Sequence, residues 1–379
     1  MQHPTDPIVV HGPTGYTGQL TCRELVRWGC PIRLVGRRPD ALAELAGLLP
    51  TDAVEVVVAA ADDVPALVDA CAGAHVMVNC AGPYMEVGDG PAQAAVASGT
   101  HYIDCTGEQD FMRLLHRRLD AAARQAGVVV LPAMGFDYAP GDLLCSLLAG
   151  GLDQVDEFIV AYRTEGFSPS LGTLRSAARV LGAGGVRRVE GTLQPLSMHP
   201  RAHRFIGDRQ DSVVVPYPSG EALTVPGHTG ARTVTSLLAA PMPGLLPGPA
   251  RRLAARALPG VMRAAGGPLG LALGAGSRIL PTGPSDDDRE AAVGIVEAVG
   301  LDLDGRSVAG RITIHDVYGT TARLLVAAAR LLESDGGGGA SGVCAPAQVV
   351  AAGSFLERPE LREHVEVELG LAAPPMPAR

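Results

Sequence analysis

The sequence predicts an α/β protein with an N-terminal doubly wound domain followed by a second, α+β domain. From residue 7 to about residue 135, short apolar runs rich in β-branched residues alternate with segments of helical spacing. Such alternation is typical of a parallel sheet whose two faces are covered by helices. Beyond Gly135 the alternation ends, and longer β-branched runs appear between stretches rich in Gly and Pro. This change of character marks the second domain.

Six strands and five helices are expected in the first domain. Gly29 is expected to end the first helix, and Pro39 to stand in the first turn of the second helix. Glycine is common just after a helix, and proline is common at its first position. Right-handed crossovers between successive parallel strands then give a doubly wound, Rossmann-type domain. The predicted strands are 7–11, 31–36, 53–59, 74–82, 101–104 and 127–133, and the predicted helices are 15–28, 39–49, 63–71, 90–98 and 109–126.

The second half of the chain is less regular. The apolar segment 241–283 fits either short helices packed on the second domain or an interfacial, lipid-facing patch. The Gly-rich stretch 335–342 is expected to be a flexible linker or loop, and the last residues a frayed tail. We predict strands at 156–164 and 212–218, helices at 170–181 and 319–332, and domains at 1–138, 139–315 and 316–379.

Composition excludes several kinds of activity. The net charge of −9 disfavours a general nucleic-acid-binding surface. The chain contains arginine but no lysine, so Schiff-base chemistry, a P-loop lysine and a Tyr/Lys catalytic pair are excluded. The seven cysteines are scattered without C-x-x-C or zinc spacing, which favours reduced thiols, a cytoplasmic location and no metal site. We expect neither a secretory signal nor a membrane span.

The strongest local motif is GPTGYTG (12–18), between the first predicted strand and the first predicted helix. A dinucleotide pyrophosphate needs backbone N–H groups at a helix N-terminus with no Cβ atoms in the way. Three glycines at this junction meet that need, although a purely structural turn would have the same spacing. The residues expected at the phosphates are Gly12, Thr14, Gly15, Tyr16, Thr17 and Gly18.

Two further loops extend this prediction. The second strand ends in GRRPD, so Arg37 and Arg38 stand where an NAD site places an acidic residue. Their guanidinium groups would pair with the 2′-phosphate of NADP, so the expected cofactor is NADP(H). The fourth strand runs into NCAGPY (79–84), at the sheet edge where the nicotinamide half should lie. The residues expected there are Asn79, Cys80, Ala81, Gly82 and Pro83.

A family resemblance follows from five stretches taken together: GPTGYTG, GRR, NCAGPY, GTHYIDCTGE (99–108) and GFDYAPGDLL (135–144). They resemble the saccharopine dehydrogenase-like reductases, and among these the trans-acting enoyl reductases of lipid and polyketide assembly. The stretch 318–332 is similar to the family's late helix. The resemblance implies an NADP-dependent oxidoreductase whose late helix packs back on the cofactor domain. We further expect a cytoplasmic homodimer that acts in secondary metabolism.

The resulting hypothesis is hydride transfer from NADPH to a polarised C=C bond of an apolar or carrier-tethered substrate, with a protein group supplying the proton. Each candidate for that group also has a structural alternative. Tyr84 would pack on the cofactor, Asp137 would cap the following helix, and His101 would be a hydrogen-bonded strand residue. Asp104 and Glu108 are expected to order the loop. The candidate proton donors are Tyr84, Asp137, Tyr138 and His101.

Other interpretations stay open at this stage. The target could be a C=N bond, as in an imine reductase or a saccharopine dehydrogenase-type enzyme, or the protein could bind NADP without turnover as a sensor or scaffold. Extended short-chain dehydrogenases share the glycine loop but need a Tyr-x-x-x-Lys pair that this sequence lacks. We expect a homo-oligomer, no nucleic-acid partner and at most a weak peripheral contact with membranes.

Overall fold

The computed structural model describes residues 6–239 and 282–374. Residues 1–5, 240–281 and 375–379 lie outside the described residues. The two interpretations of 241–283 and the prediction of a frayed tail fall on these segments.

The first half of the chain folds as the alternation predicts. Each strand and helix expected before residue 135 is present, with shifted ends at most of them, and one short helix was not expected. The strands are β1 (Ile8–His11), β2 (Ile32–Gly36), β3 (Val54–Val58), β4 (Val76–Asn79), β5 (His101–Asp104) and β6 (Val129–Leu131), and the helices are α1 (Tyr16–Arg27), α2 (Pro39–Leu48), α3 (Val64–Ala70), α4 (Tyr84–Val87), α5 (Asp89–Ala97), α6 (Gln109–Ala126) and α7 (Ala139–Ala149).

The second half holds more strands than the sequence pattern indicated. The strands are β7 (Val155–Glu165), β8 (Val186–Val189), β9 (Thr192–Pro195), β10 (Arg201–His203), β11 (Ser212–Pro216), β12 (Thr233–Ala239), β13 (Val293–Asp302), β14 (Ser307–His315), β15 (Gly342–Val343) and β16 (Val365–Leu369). The described helices are α8 (Leu171–Ala183), α9 (Glu221–Thr224), α10 (Pro226–Thr229), α11 (Asp286–Ala291), α12 (Val317–Asp335), α13 (Pro346–Val349) and α14 (Ala352–Leu356).

The first sheet is parallel, with strand order β15-β6-β5-β4-β1-β2-β3. Val9 of β1 pairs with Arg33 on one side and with Met77 on the other. Successive strands therefore run outward from β1 in both directions, and the loops after β1 and β4 diverge at the carboxyl edge. Such a topological switch point is where doubly wound sheets bind their ligands. The predicted fold of the first domain is confirmed.

The late helix α12 returns to the first sheet and packs against α1. The rings of Tyr16 and Tyr318 meet edge to face with centroids 5.0 Å apart, and Leu325 and Val326 are fully buried. The helix ends at Asp335 and a Gly-rich turn follows. At the end of the stretch expected to be a linker, β15 begins and adds to the sheet beside β6. The C-terminal part of the chain thus completes the first sheet.

The second sheet has nine strands and is mixed. Its main path runs β10-β11-β12-β7-β13-β14-β16, and β8 and β9 join at β12. Only β12 and β7 pair in parallel, and the other described pairs are antiparallel. Helix α7, with Leu143, Leu144 and Leu148 buried, packs on this sheet and links it to the first. The predicted α+β character of the second domain is confirmed.

Three chemical features bear on function. Within residues 6–239 and 282–374, no helix combines the length and apolar content that crossing a membrane requires. The seven cysteines are free thiols. Over the same described ranges, no cluster of three or more His, Cys, Asp or Glu side chains is placed to hold a metal ion.

Candidate active site

The glycine-rich loop leaves β1 through a tight turn at Gly12. This residue has φ +72°, and a Cβ atom on it would lie 2.7 Å from the Cβ atom of Ala81. A Cβ atom on Gly18 would lie 2.4 Å from the carbonyl oxygen of Gly12. Packing of the loop against its neighbours therefore requires glycine at both positions.

Gly15 differs from the other two glycines. It is exposed, its φ of −75° suits any residue, and a Cβ atom there would lie 3.5 Å from its nearest neighbour, an ordinary contact. The protein itself does not need glycine here, so the missing side chain leaves room for something outside the protein. No side chain caps α1, and in the described part of the chain no backbone carbonyl accepts the N–H groups of Tyr16 or Thr17. Free N–H groups at a helix start suit a pyrophosphate.

The two arginines after β2 lie beside this loop. Arg38 precedes α2, and its Nη2 donates a hydrogen bond to the Thr14 hydroxyl at 2.9 Å. Arg37 is exposed and makes no contact of this kind with the described residues. Arg38 therefore spans the gap between the second strand and the phosphate loop, where the 2′-phosphate of a bound NADP would fall.

Asn79 supports the loop after β4 from below. It is fully buried, and its Oδ1 accepts the Ala81 N–H at 3.0 Å and lies 2.8 Å from Nδ1 of His11. Its Nδ2 donates to the Tyr102 hydroxyl at 2.9 Å. These bonds fix Ala81 against Gly12, so Asn79 shapes the cofactor loop through protein contacts. Cys80 is partly exposed and Gly82 is exposed at the surface of that loop.

Glu108 joins the same loop to the second domain. Its buried carboxylate accepts the backbone N–H groups of Tyr84 and Met85 at 2.8 and 3.0 Å. It also accepts the Ser176 hydroxyl at 2.9 Å and Nε of Arg179 at 3.1 Å, both from α8. One carboxylate thus positions the β4 loop and α8 together.

Asp104 orders the next loop along the sheet. Its Oδ1 accepts the N–H groups of Thr106 and Ala133, each at 2.9 Å. Burial raises the pKa of this carboxyl to about 7 against the opposing effect of those hydrogen bonds. Asp104 and Glu108 both act on the loops, as the sequence led us to expect.

The four candidate proton donors occupy very different places. Tyr84 is buried, and its hydroxyl donates to the Asn79 carbonyl at 3.2 Å. Tyr138 is buried with φ +90°, a strained value for a residue with a side chain, and its hydroxyl donates to the Gly107 carbonyl at 2.6 Å. His101 begins β5 at the amino edge of the sheet, and its Nδ1 accepts the Val129 N–H at 2.9 Å. That edge is opposite the cofactor loops, so we drop His101 from the candidates.

Asp137 is the candidate that no hydrogen bond to the described residues holds in place. It is partly exposed, and a Cβ atom on Gly107 would lie 3.0 Å from its Oδ2. In the described part of the chain no group donates a hydrogen bond to it, and it does not cap α7, whose N-cap residue is Tyr138. Burial raises the pKa of Asp137 to about 6. A carboxyl group in this state can hold a proton near neutral pH and release it to a ligand.

Asp137 acts electrostatically on tyrosines of two aromatic groups. The chain has only six Phe, seven Tyr and one Trp, and half of these residues form two contact groups. Burial is the largest cause that raises the pKa of Tyr217 and of Tyr318, and the charge of Asp137 raises both further. These two tyrosines belong to different groups. The first group is Tyr16, Phe167 and Tyr318, with centroids 5.0 and 5.4 Å apart, and the second is Phe136, Tyr138, Tyr162 and Tyr217, at 5.8 to 6.4 Å.

A buried carboxyl without a cation lies behind the second group. Glu221 is fully buried and accepts a short hydrogen bond from the Tyr162 hydroxyl. Glycine at position 141 makes room for both, because a Cβ atom there would lie 2.4 Å from each of their oxygens. Burial raises the pKa of Glu221 to about 7. This carboxyl exchanges its proton near neutral pH.

Sequence reasoning did not find Tyr217 or Glu221. Both belong to PYPSGEAL (216–223), a stretch after β11 that matches no motif. The available signal was a tyrosine between two prolines in a chain poor in aromatic residues. Its position beside Asp137 depends on how the second sheet meets α7, which no local pattern encodes.

Comparison with known proteins gives the wider context. Residues 8–131 match the family model of the saccharopine dehydrogenase NADP binding domain. A saccharopine dehydrogenase-like oxidoreductase from Mus musculus is 31% identical over 191 residues, 45% of this chain and 44% of the relative. A putative trans-acting enoyl reductase from Mycobacterium tuberculosis is 36% identical over 144 residues, 36% of this chain and 33% of the relative.

The solved structures extend the likeness of fold to the whole chain. Apo saccharopine dehydrogenase (L-Glu forming) from Saccharomyces cerevisiae superposes with a TM-score of 0.62 at 12% identity, covering 96% of this chain and 99% of that one. At this identity the match shows a common fold. The chain spans about half the length of the curated relatives it matches, 57% and 44% for the first two.

Proposed function

We propose that this protein is an NADPH-dependent oxidoreductase that reduces a polarised C=C bond. The proposal starts from the match of residues 8–131 to the family model of the saccharopine dehydrogenase NADP binding domain. Bound NADPH supplies the hydride, and the protein supplies binding, orientation and a proton. The observation that carries the proposal is a partly exposed carboxyl, Asp137, that has no hydrogen-bond donor among the described residues and whose charge acts on a tyrosine of each aromatic group.

The cofactor fits the loop on structural grounds. Gly15 is glycine where the protein has room for a side chain, the first N–H groups of α1 are free of described backbone partners, and Arg38 lies over the loop through Thr14. The backbone N–H groups of Gly15, Tyr16 and Thr17 would hold the pyrophosphate, and Arg38 would pair with the 2′-phosphate.

Asp137 supports a reduction because its carboxyl group can supply the proton that the reaction needs. With a pKa near 6, its carboxyl is largely ionised at pH 8 and largely protonated at pH 5. A protonated acid can add a proton to the substrate carbon next to the carbonyl. We therefore expect the reduction rate to fall as the pH rises through about 6, and the dependence to disappear in Asp137→Asn together with most of the activity.

The aromatic surroundings support an apolar, partly planar substrate. The Asp137 charge raises the pKa of Tyr217 and of Tyr318, which belong to the two groups of aromatic rings. An α,β-unsaturated carbonyl compound, free or tethered to a carrier as a thioester, fits this chemistry. The cytoplasmic location, homo-oligomeric state and biosynthetic role expected from the sequence belong to the same proposal.

The test is NADPH consumption with a panel of acceptors. The purified protein is mixed with NADPH and, separately, with short enoyl thioesters, conjugated enals and cyclic imines, and the loss of NADPH absorbance is followed. Deuterated NADPH should place one deuterium on the β carbon of the product, as seen by mass spectrometry. The control Gly15→Val should stay folded and consume none.

Three results would contradict the proposal in different ways. Binding of NADPH with no consumption by any acceptor would identify a sensor or scaffold. Turnover with cyclic imines alone would identify a C=N reductase. Failure of NADPH to bind at all would remove the cofactor assignment.

A further inference from the structure

The seven cysteines of this chain differ in exposure. Cys80 and Cys105 are partly exposed, whereas the other five thiols are buried. Because oxidation of a thiol requires access as well as reactivity, an oxidant in solution meets Cys80 and Cys105 before the others. The buried cysteines are Cys22, Cys30, Cys71, Cys145 and Cys344.

The strand register places Cys80 and Cys105 side by side. Strands β4 and β5 are parallel neighbours, and their last paired residues are Asn79 and Asp104. The two cysteines are the next residue of each strand. Neighbouring strands lie about 4.8 Å apart, and the Cα atoms of a disulfide usually lie about 4.4–6.8 Å apart. The backbone therefore brings the two cysteines within the range of a disulfide bond.

The two thiols also interact directly. A side-chain hydrogen bond with Cys80 is the first cause, and burial the second, that raise the pKa of the Cys105 thiol well above its ordinary value. The Tyr84 hydroxyl lies 3.2 Å from Sγ of Cys105, and Oγ1 of Thr21 lies 3.7 Å from Sγ of Cys80. Cys105 is thus the poorer source of a thiolate, which leaves Cys80 as the thiol that an oxidant attacks first.

Cys80 belongs to the loop that contacts the glycine-rich motif. Its backbone N–H donates to the His11 carbonyl of β1 at 2.9 Å. Its carbonyl oxygen would lie 3.9 Å from a Cβ atom on Gly15, and the next residue, Ala81, packs against Gly12. A displacement of Cys80 is therefore transmitted to both glycines at the site proposed for the pyrophosphate.

We propose that Cys80 and Cys105 form a reversible disulfide bond that lowers the affinity of this loop for NADPH. The effect on NADPH rests on the proposed function. Hydrogen peroxide is the oxidant: the Cys80 sulfur attacks one peroxide oxygen, the O–O bond breaks, and a sulfenic acid and one water form. The Cys105 sulfur then attacks the Cys80 sulfur, and its proton leaves with the hydroxyl group as a second water. Two thiols lose two electrons in total, and a dithiol reductant restores them.

The first experiment oxidises the native protein with hydrogen peroxide. After desalting and denaturation, the number of titratable thiols should fall from seven by two, and peptide mapping should find Cys80 linked to Cys105 within one chain. NADPH affinity, followed by cofactor fluorescence, should fall by about 10-fold, the equivalent of one hydrogen bond lost to the charged phosphates. Dithiothreitol should restore both the thiols and the affinity.

Two variants test the pairing. In Cys105→Ser the resolving thiol is absent, so the sulfenic acid should persist on Cys80 and react with dimedone. The matched control is Cys30→Ala, which removes a buried thiol away from the pair. It should lose the same two thiols and the same NADPH affinity as the wild type.

A redox titration of the wild type gives a second readout. The disulfide is equilibrated in glutathione buffers with and without saturating NADPH. Because coupling between two sites is reciprocal, NADPH should shift the equilibrium about 10-fold towards the thiols.

The outcomes separate this inference from the proposed function. A protein that binds NADPH but keeps its seven thiols, or that links other cysteines or two chains, would overturn the disulfide and leave the reductase proposal standing. A Cys80–Cys105 disulfide with unchanged NADPH affinity, or a redox equilibrium that NADPH does not shift, would overturn the control of binding. Failure of the reduced protein to bind NADPH would overturn the proposed function and the control of binding together, whichever cysteines pair.

Discussion

Replacing Arg38 by Ala should remove most of the preference for NADPH over NADH. The side chain is exposed and its Nη2 lies 2.9 Å from the Thr14 hydroxyl in the glycine loop. A guanidinium about 4 Å from a phosphate of charge about −2 gains roughly 2 kcal/mol in water. Screening at physiological salt reduces this to about 1.2 kcal/mol. NADPH affinity should therefore fall about 8-fold, while NADH affinity should change little.

Arg37 supplies the matched control. It carries the same charge one residue away but makes no hydrogen bond to the loop within the described chain. At about 8 Å the same arithmetic leaves roughly 0.4 kcal/mol, or about a 2-fold loss. Both variants are titrated with NADPH and NADH by cofactor fluorescence at two salt concentrations. Equal losses for the two cofactors in Arg38→Ala, or a larger effect in Arg37→Ala, would refute the assignment of the 2′-phosphate to Arg38.

Three further predictions concern the loop, the link to the second domain and pH. Gly15→Val should keep the melting temperature of the wild type and lose NADPH binding. Gly18→Ala should lose about 1–3 kcal/mol of stability, because its Cβ atom would meet a backbone oxygen at 2.4 Å. Survival of NADPH binding in Gly15→Val would count against the pyrophosphate site. Arg179→Met should lower the free energy of unfolding in urea by about 2–3 kcal/mol. The loss is smaller than for a fully unpaired buried charge, because Glu108 keeps three other donors. Unchanged stability would disprove the pairing of Arg179 with Glu108. Burial raises the pKa of Glu221 in the folded protein to about 7, against an ordinary value of 4.5. The wild type should therefore lose stability as the pH rises between these values, by about 3 kcal/mol at most. In urea unfolding, the stability of Glu221→Gln relative to the wild type should rise from pH 5 to pH 8 by up to that amount. Parallel pH curves for the two proteins would contradict the burial of this carboxylate.

The first domain was predictable because its signals are local. Strands such as β1 are continuous apolar runs, and glycine and proline mark the helix ends, so pattern alone gives the order of elements. The glycine loop and Arg38 were found for the same reason, since both follow strands at the carboxyl edge. Parallel strands bring such loops together without any further information.

The second domain was harder because its pattern depends on distant partners. The strands β13 and β14 were missed, although they form a long antiparallel pair. Gly294 and Gly300 interrupt the apolar run of β13 because the Phe136 and Phe158 rings occupy the space where their Cβ atoms would lie, 2.4 and 2.6 Å away. Such glycines weaken a strand signal in sequence and make sense only once the rings are placed.

The proton donors illustrate the same limit. Tyr84, Tyr138 and His101 have suitable chemistry, but only the structure shows that their polar atoms bond to other parts of the protein. Which hydrogen bonds such a side chain makes depends on distant parts of the chain, and a local sequence pattern does not contain that information.

The short strand β15 has a consequence for how the chain assembles. Gly342 pairs with Val129, and α12 supplies apolar side chains beneath β4 and β5. During synthesis, the ribosome must therefore release more than two hundred further residues after β6 before the cofactor domain can close its own core. Such high contact order slows folding and leaves an apolar face uncovered in the nascent chain. A fragment that ends near residue 138 should accordingly aggregate in the cell. Expression of the protein as two separate chains divided at that point should fail to give a folded cofactor domain.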